Sequence, residues 1–353
     1  MVLLTFGLVM MFSASYAYAF FYMDNSFYFI SRQLIFAVMG VAVMIILANI
    51  DYHIFRPFAW PLMGVTVALL VVVLFMPEQK GVRRWINLGF TTFQPSEIAK
   101  FALVILFAHL ISVNYSKMKS FRHGIAPFIG VLAVLVALLM LEPHLSGTVL
   151  ICLIGAIMMF VGGANLKWFA LAGAVGVAGL VVLASIPQVI AYAHTRFDYW
   201  LDPFSDPQGF GFQTLQSLYA IGSGGLLGAG IGQSRQKYLY LPEPQNDFVF
   251  AIVCEELGFV GAVLIIILFA LLIWRGFVIA AKARDRFGAM IAVGLTAQVG
   301  MQTILNIAVV TNTIPNTGIS MPFFSSGGTA LLMLLAQMGV ILSISRQTTL
   351  EKE

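Results

Sequence analysis

The chain predicts an all-α, polytopic membrane protein with about ten transmembrane helices and a large extracytoplasmic loop. Three observations carry that expectation. Of its 353 residues, 60% are hydrophobic and only 10% charged, and the mean hydropathy is +0.95, values of a chain dissolved in lipid rather than water. Successive apolar runs of roughly 20 residues recur along it, the length a 30 Å hydrocarbon core demands. Only the stretch 194–247 is long and hydrophilic, so there is no room for a separate soluble domain, and one membrane domain covering 1–353 is expected.

The expected spans are 2–21, 30–50, 57–76, 95–113, 125–141, 146–163, 166–192, 248–274, 289–310 and 328–345. The first ends in Ser13-Ala14-Ser15-Tyr16-Ala17-Tyr18-Ala19, a small-residue pattern like a signal-peptidase site. It lacks a basic start and further spans follow, so it reads as a retained helix. The fourth opens with Gln94-Pro95-Ser96-Glu97, and Pro95 suits a first helical position, where the missing N–H is not needed. A tight turn, Glu142-Pro143-His144, joins the fifth and sixth. Asp247 stands where the long loop turns into the eighth, and Phe323-Phe324-Ser325-Ser326-Gly327-Gly328-Thr329 leads into the tenth.

The net charge of +4 rests on 19 Lys and Arg scattered among short loops, a pattern of membrane topology and not of nucleic-acid binding. One set of alternate loops and termini carries Arg56, Lys117, Lys119, Arg122, Lys167, Arg275, Lys282, Arg284, Arg286, Arg346 and Lys352. The other carries Arg32, Lys80, Arg83, Arg84, Arg196, Arg235 and Lys237. The positive-inside bias puts both termini in the cytoplasm. Cations kept outside against that bias suggest an anionic ligand there. Cys152 and Cys254 lie in apolar runs without metal-ligand or CxxC spacing, so neither a disulfide framework nor a zinc site is expected.

With this topology the candidate chemistry gathers at the outer face. Glu97 and Lys100 are three apart and share one helix face, either as an ion pair that locks helices or as part of a cavity. Arg83 and Arg84, beside Trp85, can clamp a phosphate or rest on lipid headgroups. Glu142 and His144 share that side in a supporting role. Ser325 and Ser326 precede a helix whose exposed N–H groups can hold a pyrophosphate, or Ser326 or Thr329 serves as an ordinary cap. Asp247 is a favoured N-cap residue by position, and also a carboxylate at a membrane boundary. Glu255 and Glu256, inside the apolar run, read by default as neutral carboxyls bonded between helices. The run Gly222 to Gly232 fits neither GxGxxG nor a P-loop, so a nucleotide site is rejected. Gly224, Gly228 and Gly232 are instead spaced for close helix contact or a re-entrant turn.

Taken together, Arg83-Arg84-Trp85-Ile86, Gln94-Pro95-Ser96-Glu97 with Lys100, Glu142-Pro143-His144, Asp202-Pro203, Gly209 to Gln213, Gly222 to Gly232, Leu241-Pro242-Glu243, Asp247-Phe248, Glu255-Glu256-Leu257-Gly258 and Pro322 to Gly328 resemble the SEDS family of FtsW, RodA and SpoVE. The resemblance covers the whole chain and is nearest to the FtsW/SpoVE branch. It implies a peptidoglycan glycosyltransferase of the bacterial cytoplasmic membrane that polymerises lipid II at the outer face in division, elongation or sporulation. It also implies a class B penicillin-binding protein and other divisome or elongasome membrane proteins as partners, and no nucleic acid. On this resemblance Asp247 is the catalytic base. Arg83, Arg84, Glu97, Lys100, His144, Ser325 and Ser326 are the residues meeting substrate and pyrophosphate. A divalent cation, magnesium or manganese, would be held by Asp247 and Glu97, although two oxygen ligands do not by themselves make a metal site. Ser326 stands where these proteins usually carry Tyr, which puts a stacking role at that position in doubt. The alternatives are a lipid II flippase and a non-enzymatic scaffold for a penicillin-binding protein.

Overall fold

The computed structural model describes residues 1–78, 81–87, 89, 91–183, 199–209 and 211–349. Lys80, Arg196, Lys352, the beginning of the outer loop and the end of the expected span 166–192 lie outside the described residues.

Helices form where the apolar runs lead one to expect them: α1 (Val2–Met23), α2 (Tyr28–Asn49), α3 (Ala59–Leu74), α4 (Pro95–Asn114), α5 (Ala126–Leu141), α6 (Leu145–Val161) and α7 (Leu166–Leu183). After the long loop come α9 (Val249–Ala281), α10 (Arg286–Val310) and α11 (Gly328–Thr349). One helix was not anticipated, α8 (Phe212–Ser223), which lies inside the stretch read as loop. Six of the described helices are long and apolar enough to cross a membrane, and three more, α3, α5 and α6, are shorter apolar helices. The chain is a multi-pass membrane protein. Among the described residues the one departure from an all-α fold is a hairpin of β1 (Ile86–Asn87) and β2 (Thr92–Phe93), antiparallel with Ile86 opposite Phe93.

The described residues divide into two compact units. The first comprises Met1–Leu34, Lys167–Phe269 and Gln302–Ser326. Here α1 comes close enough for a Cβ on Gly7 to fall 2.2 Å from the Phe323 carbonyl oxygen, an approach only glycine permits. The defining feature is a break in α9 at Gly258, whose φ of 67° takes the backbone out of the helix. A break inside lipid leaves carbonyls and amides without partners, and such groups must be satisfied by protein. The glycine run supplies them. Ala229 and Gly230 donate to the carbonyls of Glu255 and Glu256 at 2.9 and 3.0 Å, and Phe259 and Val260 donate to those of Gly225 and Leu226 at 2.9 and 3.1 Å. Gly224 and Gly228 touch the backbone of α9, as their spacing suggested, whereas Gly232 has open space around it.

The second unit comprises Ile35–Leu166, Ala270–Met301 and Gly327–Glu353. Its centre is α4, apolar around most of its circumference and buried from Ala102 to Ala108, as a helix without a polar face must be. Packing with α3, α5 and α6 covers it. Phe107 meets the edge of Phe128 with ring centres 4.8 Å apart. The opposite end of this unit is tied by the Tyr52 hydroxyl, which donates to Asp285 at 2.5 Å, while Asp285 also accepts the amides of Phe287 and Gly288 at the start of α10.

Candidate active site

In the first unit, α9 starts at Val249, so Phe248 occupies the cap position and the half-buried Asp247 stands one residue outside it. The carboxylate rests against Gly318, whose φ of 71° and missing side chain make room. A Cβ there would lie 3.1 Å from Asp247 Oδ2. Its backbone is fixed by Asn306, whose Nδ2 donates to the carbonyls of Asp247 and Ile319 at 2.8 and 2.6 Å. Three buried oxygens of the same unit, Gln245 Oε1, Asn306 Oδ1 and Thr317 Oγ1, have no hydrogen-bond partner among the described residues. Buried acceptors of this kind are normally matched by water or by a ligand donor.

The backbone amides of both Ser325 and Ser326 are engaged within the protein. The Ser325 hydroxyl accepts the amide of Met321 at 2.7 Å, its carbonyl accepts Gln33 at 3.2 Å, and the Ser326 amide donates to the Gln245 carbonyl at 2.7 Å. They brace the loop carrying Gly318 against the loop carrying Asp247. Thr329, the other expected cap, donates to the Thr92 carbonyl in the second unit at 3.2 Å.

In the second unit, Glu97 and Lys100 form the expected pair, 2.8 Å apart and with side chains only 13% and 5% exposed. The same end holds Arg84, Glu142 and His144. Arg84 donates through Nε to the Glu142 carbonyl at 3.4 Å and through its terminal nitrogen to that of Pro143. It therefore fastens the turn between α5 and α6. Burial pushes the Glu142 carboxyl up to about 8, with the Arg84 charge opposing, and neither of its oxygens has a hydrogen-bond partner. His144 is pushed down to about 3 by burial and then by the charges of Arg84 and Lys100. An acid and an imidazole, both neutral near pH 7, thus sit among cations. Arg83 leaves this group: it donates to the Leu74 carbonyl and pairs with Glu78, both at 3.1 Å. The expected double-arginine clamp is not formed, because Glu78 in the preceding loop captures one guanidinium.

The structure thus gathers Arg84, Glu97, Lys100 and His144 in one unit and Asp247, Ser325 and Ser326 in the other. Missing from the sequence reading were Asn306, Gln245 and Gly318 around Asp247. Asn306 had a usable signal: Gln298, Gln302 and Asn306 recur every four residues in an apolar run, so three amides line one face of α10. Glu256 bonds between helices as expected, accepting the Ser13 hydroxyl of α1 at 2.7 Å, and it also pairs with Lys237 at 2.9 Å. Glu255 instead bonds to the loop, accepting the Ser234 hydroxyl and the Arg235 amide, the latter at 2.8 Å.

The donor set does not fit a divalent cation. Among the described residues no three His, Cys, Asp or Glu side chains gather as ligands, and the Lys100 ammonium already occupies the oxygens of Glu97. No chemical step is therefore assigned to a metal.

A family model described as cell cycle protein, FTSW_RODA_SPOVE, matches residues 1–350. Stage V sporulation protein E of Bacillus subtilis (strain 168) is 44% identical, covering 98% of this chain and 94% of that protein. A probable peptidoglycan glycosyltransferase FtsW of Geobacter sp. (strain M18) is 36% identical, covering 98% and 94%. Among solved structures, a chain from work described as "Structural coordination of polymerization and crosslinking by a peptidoglycan synthase complex" superposes with a TM-score of 0.77 at 30% identity, covering 97% of this chain and 98% of that one. The rod shape determining protein RodA of Thermus thermophilus does so with a TM-score of 0.70 at 26% identity, covering 98% and 94%.

Proposed function

This chain belongs to the FtsW, RodA and SpoVE family of cell cycle proteins, and from that premise we propose that it is a peptidoglycan glycosyltransferase that polymerises lipid II at the outer face of the cytoplasmic membrane. The observation that carries the reading is the half-buried carboxylate of Asp247, held beside Gly318 at the start of a broken helix. In glycan polymerisation the 4-hydroxyl of an acceptor sugar attacks the anomeric carbon of the donor while the lipid-linked diphosphate departs. A carboxylate placed at the attacking hydroxyl accepts its proton, and cations stabilise the charge growing on the leaving group.

Asp247 is the proposed base. Three side chains support it: Asn306 fixes its backbone, and Gln245 and Thr317 contribute buried oxygens that sugar hydroxyls or waters would satisfy. Arg84 and Lys100 are the proposed cations. His144 and Glu142, neutral in the same turn, add no charge beside Arg84, Lys100 is paired with Glu97, and Arg83 serves its own loop. Both termini are assigned to the cytoplasm on the Lys/Arg bias, and a class B penicillin-binding protein is the proposed partner, in keeping with the synthase complex among the structural neighbours.

Reconstitution of the purified full chain with such a partner and labelled lipid II tests the activity. Glycan strands longer than the input disaccharide are expected, and unchanged lipid II in the presence of a functional partner would refute the proposal.

A further inference from the structure

Lys237 reads in the sequence as one more outside cation, yet in the structure it is only 2% exposed. Its ammonium pairs with Glu256 Oε1 at 2.9 Å and donates to Ser13 Oγ at 3.1 Å. The Ser13 hydroxyl in turn lies 2.7 and 2.8 Å from the two oxygens of Glu256. Beside this triad, Ser234 donates its amide to Glu256 at 3.2 Å and its hydroxyl to Glu255, and Arg235 adds its amide to Glu255 at 2.8 Å. Two consecutive carboxylates inside α9 therefore grip the turn 234–237 by backbone and side chain, while its neighbours Arg235 and Tyr238 face outward.

A tie of this kind is not the most stabilising way to fill buried space. Apolar residues of the same volume usually serve as well, whereas a buried ion pair accepts only one arrangement of its partners. The chain between Lys237 and Asp247 also needs to be held. Leu239 and Glu243 sit at φ of 69° and 46°, conformations that side-chain-bearing residues keep only when their surroundings enforce them. Further along, Gln213 donates to the Pro242 carbonyl at 3.3 Å and Ser326 to that of Gln245 at 2.7 Å.

We infer that Lys237 is a positioning residue for Asp247: with Glu256 and Ser13 it closes the outer loop onto the same helix that Asp247 precedes, so the carboxylate is fixed from both sides. The inference rests on the reading of Asp247 as the base.

The test uses the full chain with its penicillin-binding partner. Lys237→Met alone strands a buried carboxylate and is expected to lose folded protein. Lys237→Met combined with Glu256→Gln removes both charges and keeps the fold testable. In the double variant, amides of 234–246 are expected to exchange hydrogen at least tenfold faster, with those of α10 unchanged. Its kcat on lipid II is expected to fall at least tenfold with KM within twofold of wild type, and Lys237→Arg is expected to restore part of the loss. Wild-type kcat in the folded double variant, or a lost kcat with unchanged exchange at 234–246, would overturn the inference. A run of Asp247→Asn beside them separates the two claims: polymer from that variant sinks the base assignment, while the exchange result still decides whether the loop is anchored by Lys237.

Discussion

Glu142 and His144 show how one turn sets the protonation of its side chains. Arg84 is committed to the carbonyls of Glu142 and Pro143, so it stabilises the turn without bonding the carboxyl. A carboxyl raised from 4.5 to about 8 keeps its proton when folded and releases it when unfolded. Its contribution to stability is complete below pH 4.5 and is lost as pH rises to about 8. His144 runs the other way: lowered from 6.5 to about 3, its contribution is complete above pH 6.5 and lost as pH falls to about 3. Between pH 6.5 and 8 only Glu142 acts. In that window the unfolding free energy of the wild type should decline with pH, by at most about 1.4 kcal/mol per unit, and that of Glu142→Gln should lack this slope. Equal slopes in the two proteins would show that Glu142 is already ionised in the fold. At this scale the sequence was informative where spacing carries geometry. The three-residue interval of Glu97 and Lys100 foretold their pair, and the short turn foretold the company of Glu142 and His144. It was uninformative where the partner comes from irregular chain, as Glu78 does for Arg83.

At the scale of elements, the broken helix α9 and the glycine run that completes it decide how the long loop before α9 is held. Hydropathy sees an unbroken apolar run through Gly258, because a change in φ leaves composition untouched. What betrayed the feature was the glycine spacing, and the close contacts of Gly224 and Gly228 explain it. The hairpin before α4 and helix α8 were hidden for a different reason: both are too short or too mixed to show a period. A Cβ on Gly228 would fall 2.2 Å from the Glu256 carbonyl oxygen, on a backbone with φ of 79°. Gly228→Ala should therefore destabilise by about 2–4 kcal/mol, combining overpacking with the left-handed penalty. Gly222, in α8 with nothing near its Cβ position, should accept Ala without loss, with a gain of about 0.5–1 kcal/mol from reduced unfolded-chain entropy. Thermal unfolding in detergent measures both, and equal midpoints would mean that the glycine run does not thread α9 as described.

For the whole molecule, composition and the repeat of apolar runs announced the architecture almost completely, since a lipid solvent permits few other arrangements. Among the described residues ten helices overlie the expected spans, the seventh as far as Leu183, and the family match extends over residues 1–350. Less legible were the buried polar contacts that organise each unit. Lys237 reads in the sequence as an outside cation and Glu255 and Glu256 as carboxyls bonded between helices, and only their folded proximity reveals one network. The proposed base combines these levels: Asp247 stands at the mouth of a broken helix, its backbone held by Asn306 of α10 and its loop anchored inside α9. Lipid II polymerisation by the folded Asp247→Asn variant, assayed with the proposed penicillin-binding partner, tests that assignment most directly. Loss of glycan strands by at least a hundredfold, with unfolding midpoint and partner binding unchanged, is the expected result; polymer at the wild-type rate would contradict it.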